Sequence, residues 1–347
     1  MLRRNVLIVV LAVVLVASGV VAVLLLRRST PPQAMRLLPA ADAYVYLDLR
    51  PLRAAGAFKQ MVSPDSDYAR FVQDTGFQFE RDLDQATLAV HLANTGDGGE
   101  ARYSEVFVGR FNQPKLTAYL RKTAASSRAY RDTTVYAIPL PGRTVHVAVL
   151  NRNLVAASNT DGESAILGMI DRYRQTFGMG GSELLRRYYP RVPLASVAWA
   201  VARTASAGEQ GNSKFVLPGG FDVFLPPETV VVAAVRYLGS VQLRADAFTP
   251  TQEDARQLSD QLNAFVALAR TVELHAQASS DPDLKAFFDS VSISQLPDRA
   301  QLSATIPPGF LKKIVSETPP SQLLATPTSR EGKSTTETQR HRETKKK

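Results

Sequence analysis

The chain contains no cysteine. That absence excludes disulfides, zinc–thiolate sites, iron–sulfur clusters, a cysteine nucleophile and the lipid-bearing cysteine of bacterial lipoproteins. Histidine is scarce as well, with four in 347 residues, and His341 sits close to the C-terminus. The sequence lacks a Gly-x-x-x-x-Gly-Lys-Ser/Thr loop, a Gly-x-Gly-x-x-Gly turn, a Gly-x-Ser-x-Gly elbow, a His-Glu-x-x-His helix and an EF-hand loop. With no nucleotide, metal or catalytic signature, the expectation is no cofactor, no catalytic residue and no enzymatic activity.

A basic body is also missing. The formal charge is +9, but four arginines in residues 1–28 face no acid, and residues 318–347 hold seven Lys or Arg against three Glu. These ends account for eight of the nine charges, leaving about +1 for residues 29–317. The folded part therefore lacks the electrostatic footprint of a nucleic-acid binder.

What the sequence does have is a long apolar run. Residues 6–26 carry no charge and are dominated by Val and Leu, with Arg3-Arg4 and Arg27-Arg28 at the two ends. As a helix this run spans about 31 Å, enough for a bilayer core. It is too long for the apolar core of a cleavable signal peptide, so an uncleaved anchor over residues 1–28 is expected. The arginine pairs nearly tie under the positive-inside rule. A leading apolar helix usually acts as an export signal, which places the N-terminus inside and the domain outside.

Residues 29–36 read as a linker, followed by two α+β halves over 37–177 and 183–316 and a disordered basic tail over 317–347. Strands are expected at 44–49, 87–93, 103–110, 134–138, 144–150, 154–158, 196–203, 229–237, 241–248 and 299–306. Helices are expected at 51–60, 67–74, 114–124, 161–174, 250–276, 283–288 and 310–315. Asn112 is placed to cap the third of these, Thr160 with Glu163 the fourth, and Thr249 to Gln252 the fifth. The apolar run 230–235 reads as a strand buried on both faces. Hairpins dominate, so the fold class is α+β with mainly antiparallel sheets, packed helices and two similar halves.

The stretch Leu38-Pro39-Ala40-Ala41-Asp42-Ala43-Tyr44-Val45-Tyr46-Leu47-Asp48 and the later Pro250-Thr251-Gln252-Glu253-Asp254-Ala255 resemble bacterial membrane-anchored envelope proteins of unknown function. The resemblance implies an anchored α+β ectodomain over residues 1–316 and defines no functional residues.

Candidate sites come from composition. His91 and His146 each fall on the strand face that alternation marks as more polar, where acid–base work or metal binding is the sharper reading. His275 ends a long helix and suits its C-terminal dipole. Glu80, Asp82 and Asp84 read as caps. Arg186, Arg187, Tyr188 and Tyr189 form a basic–aromatic group suited to lipid head groups or a stacked ligand. The loop 215–227 holds Phe215, Phe221, Phe224 and Leu225, costly to leave in water, and is either core or an interaction patch. The resulting expectation is a membrane-tethered extracytoplasmic binding or scaffolding protein of the bacterial inner membrane. Its partners would be an envelope protein or lipid head groups, and not nucleic acid. The alternative is an envelope hydrolase using His91 or His146 with carboxylates assembled by folding.

Overall fold

The computed structural model describes residues 30–54, 67–92, 102–175, 182–204, 213–217, 221–237, 240–275 and 282–309. The apolar run 6–26, the expected helix 310–315 and the tail lie outside them. No helix among the described residues is long and apolar enough to cross a membrane.

The strands are β1 Ala43–Asp48, β2 Leu83–His91, β3 Arg102–Gly109, β4 Ser126–Tyr130, β5 Thr133–Leu140, β6 Arg143–Asn151, β7 Leu154–Ser158, β8 Ser196–Arg203, β9 Ser213–Leu217, β10 Phe221–Leu225, β11 Val230–Tyr237, β12 Val241–Phe248, β13 Ser292–Leu296 and β14 Arg299–Ile306. The helices are α1 Gln33–Leu37, α2 Leu49–Ala54, α3 Asp67–Thr75, α4 Phe79–Asp82, α5 Gln113–Thr123, α6 Ser164–Arg174, α7 Glu183–Tyr188, α8 Gln252–His275 and α9 Pro282–Ser290. The fold is α+β. Twelve strands form one sheet in the order β13-β14-β12-β11-β8-β1-β2-β3-β7-β6-β5-β4, and β9 and β10 form a separate hairpin. Every pairing is antiparallel.

Helices cover both faces of the sheet. On one face α1, α6 and α7 bury Met35, Ile166, Met169, Ile170, Leu184 and Leu185 against Tyr44, Val106, Ala148, Trp199 and Val232. Ile166, Met169 and Ile170 stand three and four apart, so they form one stripe of α6. On the other face α5 sets Leu116 and Leu120 on Tyr136 and Val155. Farther along that face, α8 and the β9–β10 hairpin close over Ala247 and Ala300 through Leu258 and Val223.

Asn112 caps α5 as expected, its side chain accepting from the Lys115 N–H at 3.2 Å. Two other caps differ. α6 begins after Glu163 with no side-chain cap, because the Thr160 hydroxyl is turned to Ser158 Oγ at 2.9 Å. At α8 the box is Thr251 with Asp254, at 2.7 and 3.1 Å, in place of Thr249 with Gln252. The expected linker over 29–36 gives way to α1 at Gln33, where Ala34 and Met35 are buried. The 215–227 loop contains the β9–β10 hairpin. β11 buries Val230, Val232 and Ala234 and leaves Val231, Ala233 and Val235 half-buried, so it is covered fully on one face only.

The polar side assigned to the histidines needs correction. Thr87, Ala89, His146, Ala148 and Ala156 lie on the more deeply buried face, while Leu88, Val90, Val145, Val147 and Val149 are only half-buried. Burial runs opposite to the size alternation because α1 and α6 approach closely over small residues, leaving the larger side chains on the looser face.

Trp199 is 4% exposed, stacked on Tyr46 at 5.5 Å and tilted against Tyr189 at 5.3 Å. Trp199→Ala is expected to cost about 3–5 kcal/mol by leaving a cavity at this junction. Urea unfolding followed by far-UV circular dichroism measures it; a loss below about 1 kcal/mol would show that the three rings do not share a packed core.

Candidate functional site

A polar recess of about 260 Å³ opens at the end of the sheet where β3 begins and β7 finishes, and Arg102, Arg143, His146, Asn159, Thr160 and Asp161 line it. Two turns shape its rim. Gly142 in the β5–β6 turn and Gly162 before α6 have φ near +72° and +71°, a left-handed geometry that side chains disfavour. A Cβ at either would meet nothing within 4 Å, so the requirement is conformational and not one of space. Asn159 fastens the loop by accepting from the Tyr103 N–H through Oδ1, while its own N–H donates to the Tyr103 carbonyl at 3.0 Å.

Register brings the polar side chains together. His146 lies opposite Ser158, Ser158 opposite Ser104, and His91 opposite Arg102. His91 Nε2 lies 3.2 Å from Ser104 Oγ, which is 3.1 Å from Ser158 Oγ, which is 2.9 Å from Thr160 Oγ1. A chain of hydroxyls thus runs from His91 to the wall of the recess. Burial pushes the His91 pKa down, and the charge of Asp42 partly opposes it.

His146 is the exception to this mutual satisfaction. It is 8% exposed, and its buried Nδ1 has no hydrogen-bond partner among the described residues. A buried polar atom left unmatched costs about 1–3 kcal/mol. Arg102 reaches Asp161 at 3.2 Å, with side chains 27% and 89% exposed, respectively.

The two histidines do not form one metal site. Three strand spacings separate β2 from β6, roughly 14 Å, and among the described residues no group of three His, Asp or Glu could hold a metal ion. The side chain of His275 lies outside the described residues. Of the acidic group, Asp82 accepts the Gln78 N–H at 3.0 Å and pairs with Arg81 at 2.7 Å, while Glu80 accepts from the Tyr68 hydroxyl and Asp84 pairs with Arg53 at 3.1 Å, so these two hold neighbouring elements together and do not cap helices.

The basic–aromatic group divides. Tyr188 packs on Phe248 at 5.3 Å and Tyr189 on Trp199, so both rings belong to the core. Arg186 and Arg187 are exposed, with Arg187 over the Tyr188 ring at 5.4 Å. In the apolar hairpin, β10 turns Val223 and Leu225 onto α8, while Phe224 faces outward at 43% exposure. Phe215 pairs with Val223, and Phe221 with Leu217, through the backbone; their side chains lie outside the described residues.

A second cavity of about 490 Å³ lies at the opposite end of the sheet, between Gln33, Asn151, Asn153 and Tyr173. Its two asparagines are hydrogen-bonded within the protein, Asn151 Nδ2 donating to Tyr173 OH at 2.7 Å and Asn153 Nδ2 to the Gly109 carbonyl at 3.0 Å, and it has no buried side-chain atom without a partner among the described residues. The smaller recess is therefore the better candidate. Sequence reasoning found His146 but missed Arg102, Arg143, Asn159, Thr160 and Asp161. Their only local signals were Pro141-Gly142 and Gly162, because β3 meets β7 across more than fifty residues.

No family model matches the chain, and no curated protein matches it. Solved structures of TP0453 are similar in overall shape. Crystal form III shares 9% identity over 83% of this chain and 99% of that one, with a TM-score of 0.46. Crystal form IV shares 9% over 82% and 96%, at 0.44, and crystal form I shares 10% over 83% and 98%, at 0.42.

On the looser face, Glu105 lies between Leu88 and Ala157 with no ion pair among the described residues. Burial raises its pKa from the ordinary 4.5, so the folded state disfavours the carboxylate. Stability from this position is present below the ordinary value and lost as pH rises through the raised one. Glu105→Gln is expected to raise the unfolding midpoint at pH 7, with the gain vanishing below pH 4.5. Thermal unfolding across pH measures it, and a midpoint lowered at pH 7 would contradict it.

Proposed function

We propose that the chain is a membrane-tethered extracytoplasmic binding protein of the bacterial inner membrane, of the uncharacterised envelope type that its N-terminal region resembles. Residues 6–26 form the anchor, and the recess around His146 is the binding site. The observation that carries the reading is a polar cavity whose wall includes His146, a residue whose buried Nδ1 has no partner among the described residues. A group that is costly in the free protein and becomes satisfied on binding fits a ligand site.

The position of the recess supports this. Six residues separate position 26 from Gln33, and α1 begins beside the β6–β7 turn. The recess lies at the far end of the same strands, roughly 26 Å away for eight residues of β3. An anchored domain would thus present it away from the bilayer.

The reading of two similar halves enters here too. β1-β2-β3-β7 and β8-β11-β12-β14 repeat one order of pairing, each with a helix, α5 or α8, after its third strand. The first half adds β4, β5 and β6, and the β5–β6 turn of that addition forms part of the recess rim. Binding by the first half alone follows from that difference.

A hydrolase is the second reading, favoured by the 3.2 Å approach of His91 to Ser104. Ser104 is 0% exposed and Ser158 2%, so neither hydroxyl reaches a substrate. Neither histidine meets a carboxylate within hydrogen-bond distance among the described residues.

The test is thermal unfolding of the full-length protein in detergent, followed by fluorescence of its single tryptophan, against a panel of small polar metabolites. A ligand at about a hundred times its Kd adds roughly 2.7 kcal/mol, so a true ligand raises the midpoint. His146→Leu is expected to abolish that rise while leaving the unliganded protein at least as stable. A panel without any rise, or a rise that survives His146→Leu, would overturn the reading.

A further inference from the structure

The recess has a sign as well as a shape. Two guanidinium groups, Arg102 and Arg143, and the imidazole of His146 share its wall with one carboxylate, Asp161. The folded part of the chain carries only about one net charge over residues 29–317, so this concentration of cationic groups is local and does not reflect composition. Resting on the reading of the recess as a binding site, we propose that its ligand presents an oxyanion, a carboxylate or phosphate group, held by Arg102, Arg143 and His146.

Chemistry and size both point this way. The planar guanidinium fork of arginine matches two oxygens of a carboxylate or phosphate at once. Arg102 is placed for that role, since its side chain is 27% exposed and its partner Asp161 is 89% exposed. So exposed a pair is weak, and an incoming anion displaces Asp161 at little cost. His146 completes the site from the buried side. An imidazole nitrogen is a donor or an acceptor according to tautomer, so the His146 ring offers a donor to an oxyanion in the recess.

Volume limits the ligand. At about 260 Å³ the recess falls below the range of about 300–1,000 Å³ typical of sites for drug-sized molecules. It takes orthophosphate, a short carboxylate or the anionic end of a longer molecule. A whole nucleotide does not fit inside it.

Isothermal titration calorimetry on the full-length protein in detergent tests the assignment, with inorganic phosphate, succinate, glycerol and putrescine as separate titrants. Saturable binding of phosphate or succinate is expected, weakening with added sodium chloride, and absent for glycerol and putrescine. Whichever anion binds identifies the oxyanion. Arg102→Gln and Arg143→Gln are each expected to lower its affinity by about tenfold or more, as the loss of a charge-assisted pair requires. Arg102→Lys should recover part of the loss. Circular dichroism verifies the fold of each variant; where a variant does not fold, the salt dependence of the wild-type protein decides.

If glycerol or putrescine binds, is lost in His146→Leu, and is unaffected by either arginine variant, the oxyanion assignment is overturned and the recess remains a binding site. If phosphate and succinate give no heat while the metabolite panel still yields a His146-dependent ligand without an anionic group, the conclusion is the same. If nothing binds in either experiment, both the assignment and the binding reading fall.

Discussion

β1 and β8 lie side by side for five residues, from Ala43 opposite Ala202 to Leu47 opposite Ala198. Each would otherwise end its own sheet with a row of unpaired backbone groups, a liability in any β protein. Their pairing joins the strands of residues 43–158 to those of residues 196–306 in one sheet. Tyr46 and Trp199 reinforce the junction by stacking, and α7 with the 3₁₀ turn Tyr189–Arg191 brings Tyr189 over it. A continuous sheet gives the domain two distinct ends. One receives the chain at α1, and the other carries the recess.

Close helix approach is the second consequence. α1 and α6 rest on a floor of Ala89, Ala148, Ala156, Ser104 and Ser158, and only small side chains allow that approach. The serines in the floor must find partners within the protein, and they find each other, His91 and Thr160. This network is held in place on every side, and His146 beside it, with its unmatched nitrogen, stands out. His146 keeps a polar nitrogen where alanine or leucine would pack at no such cost, and the account ties that cost to a ligand.

Much of the fold was legible in local patterning. β8 and β14 were placed to the residue, since β-branched and small residues alternate between clear turns there. Asn112 and Pro114 marked the start of α5. Other elements were hidden by composition: β4, Ser126–Tyr130, is polar and largely exposed, and β13, Ser292–Leu296, has few large apolar residues. The β9–β10 hairpin was masked by Pro and Gly around it. The direction of burial in β2 and β6 is not legible from side-chain size, because helix proximity selects the smaller side chains for the buried face. The recess was the least legible feature. Arg102 and Asp161 are 59 positions apart in the chain and meet only through the β3–β7 pairing, which no local pattern announces.

The central claim is that His146 waits for a ligand, and nuclear magnetic resonance of the ¹⁵N-labelled histidine side chains addresses it most directly. With phosphate or succinate titrated into the full-length protein, the account predicts a saturable shift of a His146 ring-nitrogen signal to the position of a hydrogen-bonded, protonated nitrogen. The His91 signals, separated from the recess by Ser104 and Ser158, should move far less. His146 ring-nitrogen signals that stay fixed while His91 responds, or that stay fixed through the whole titration, would contradict the account.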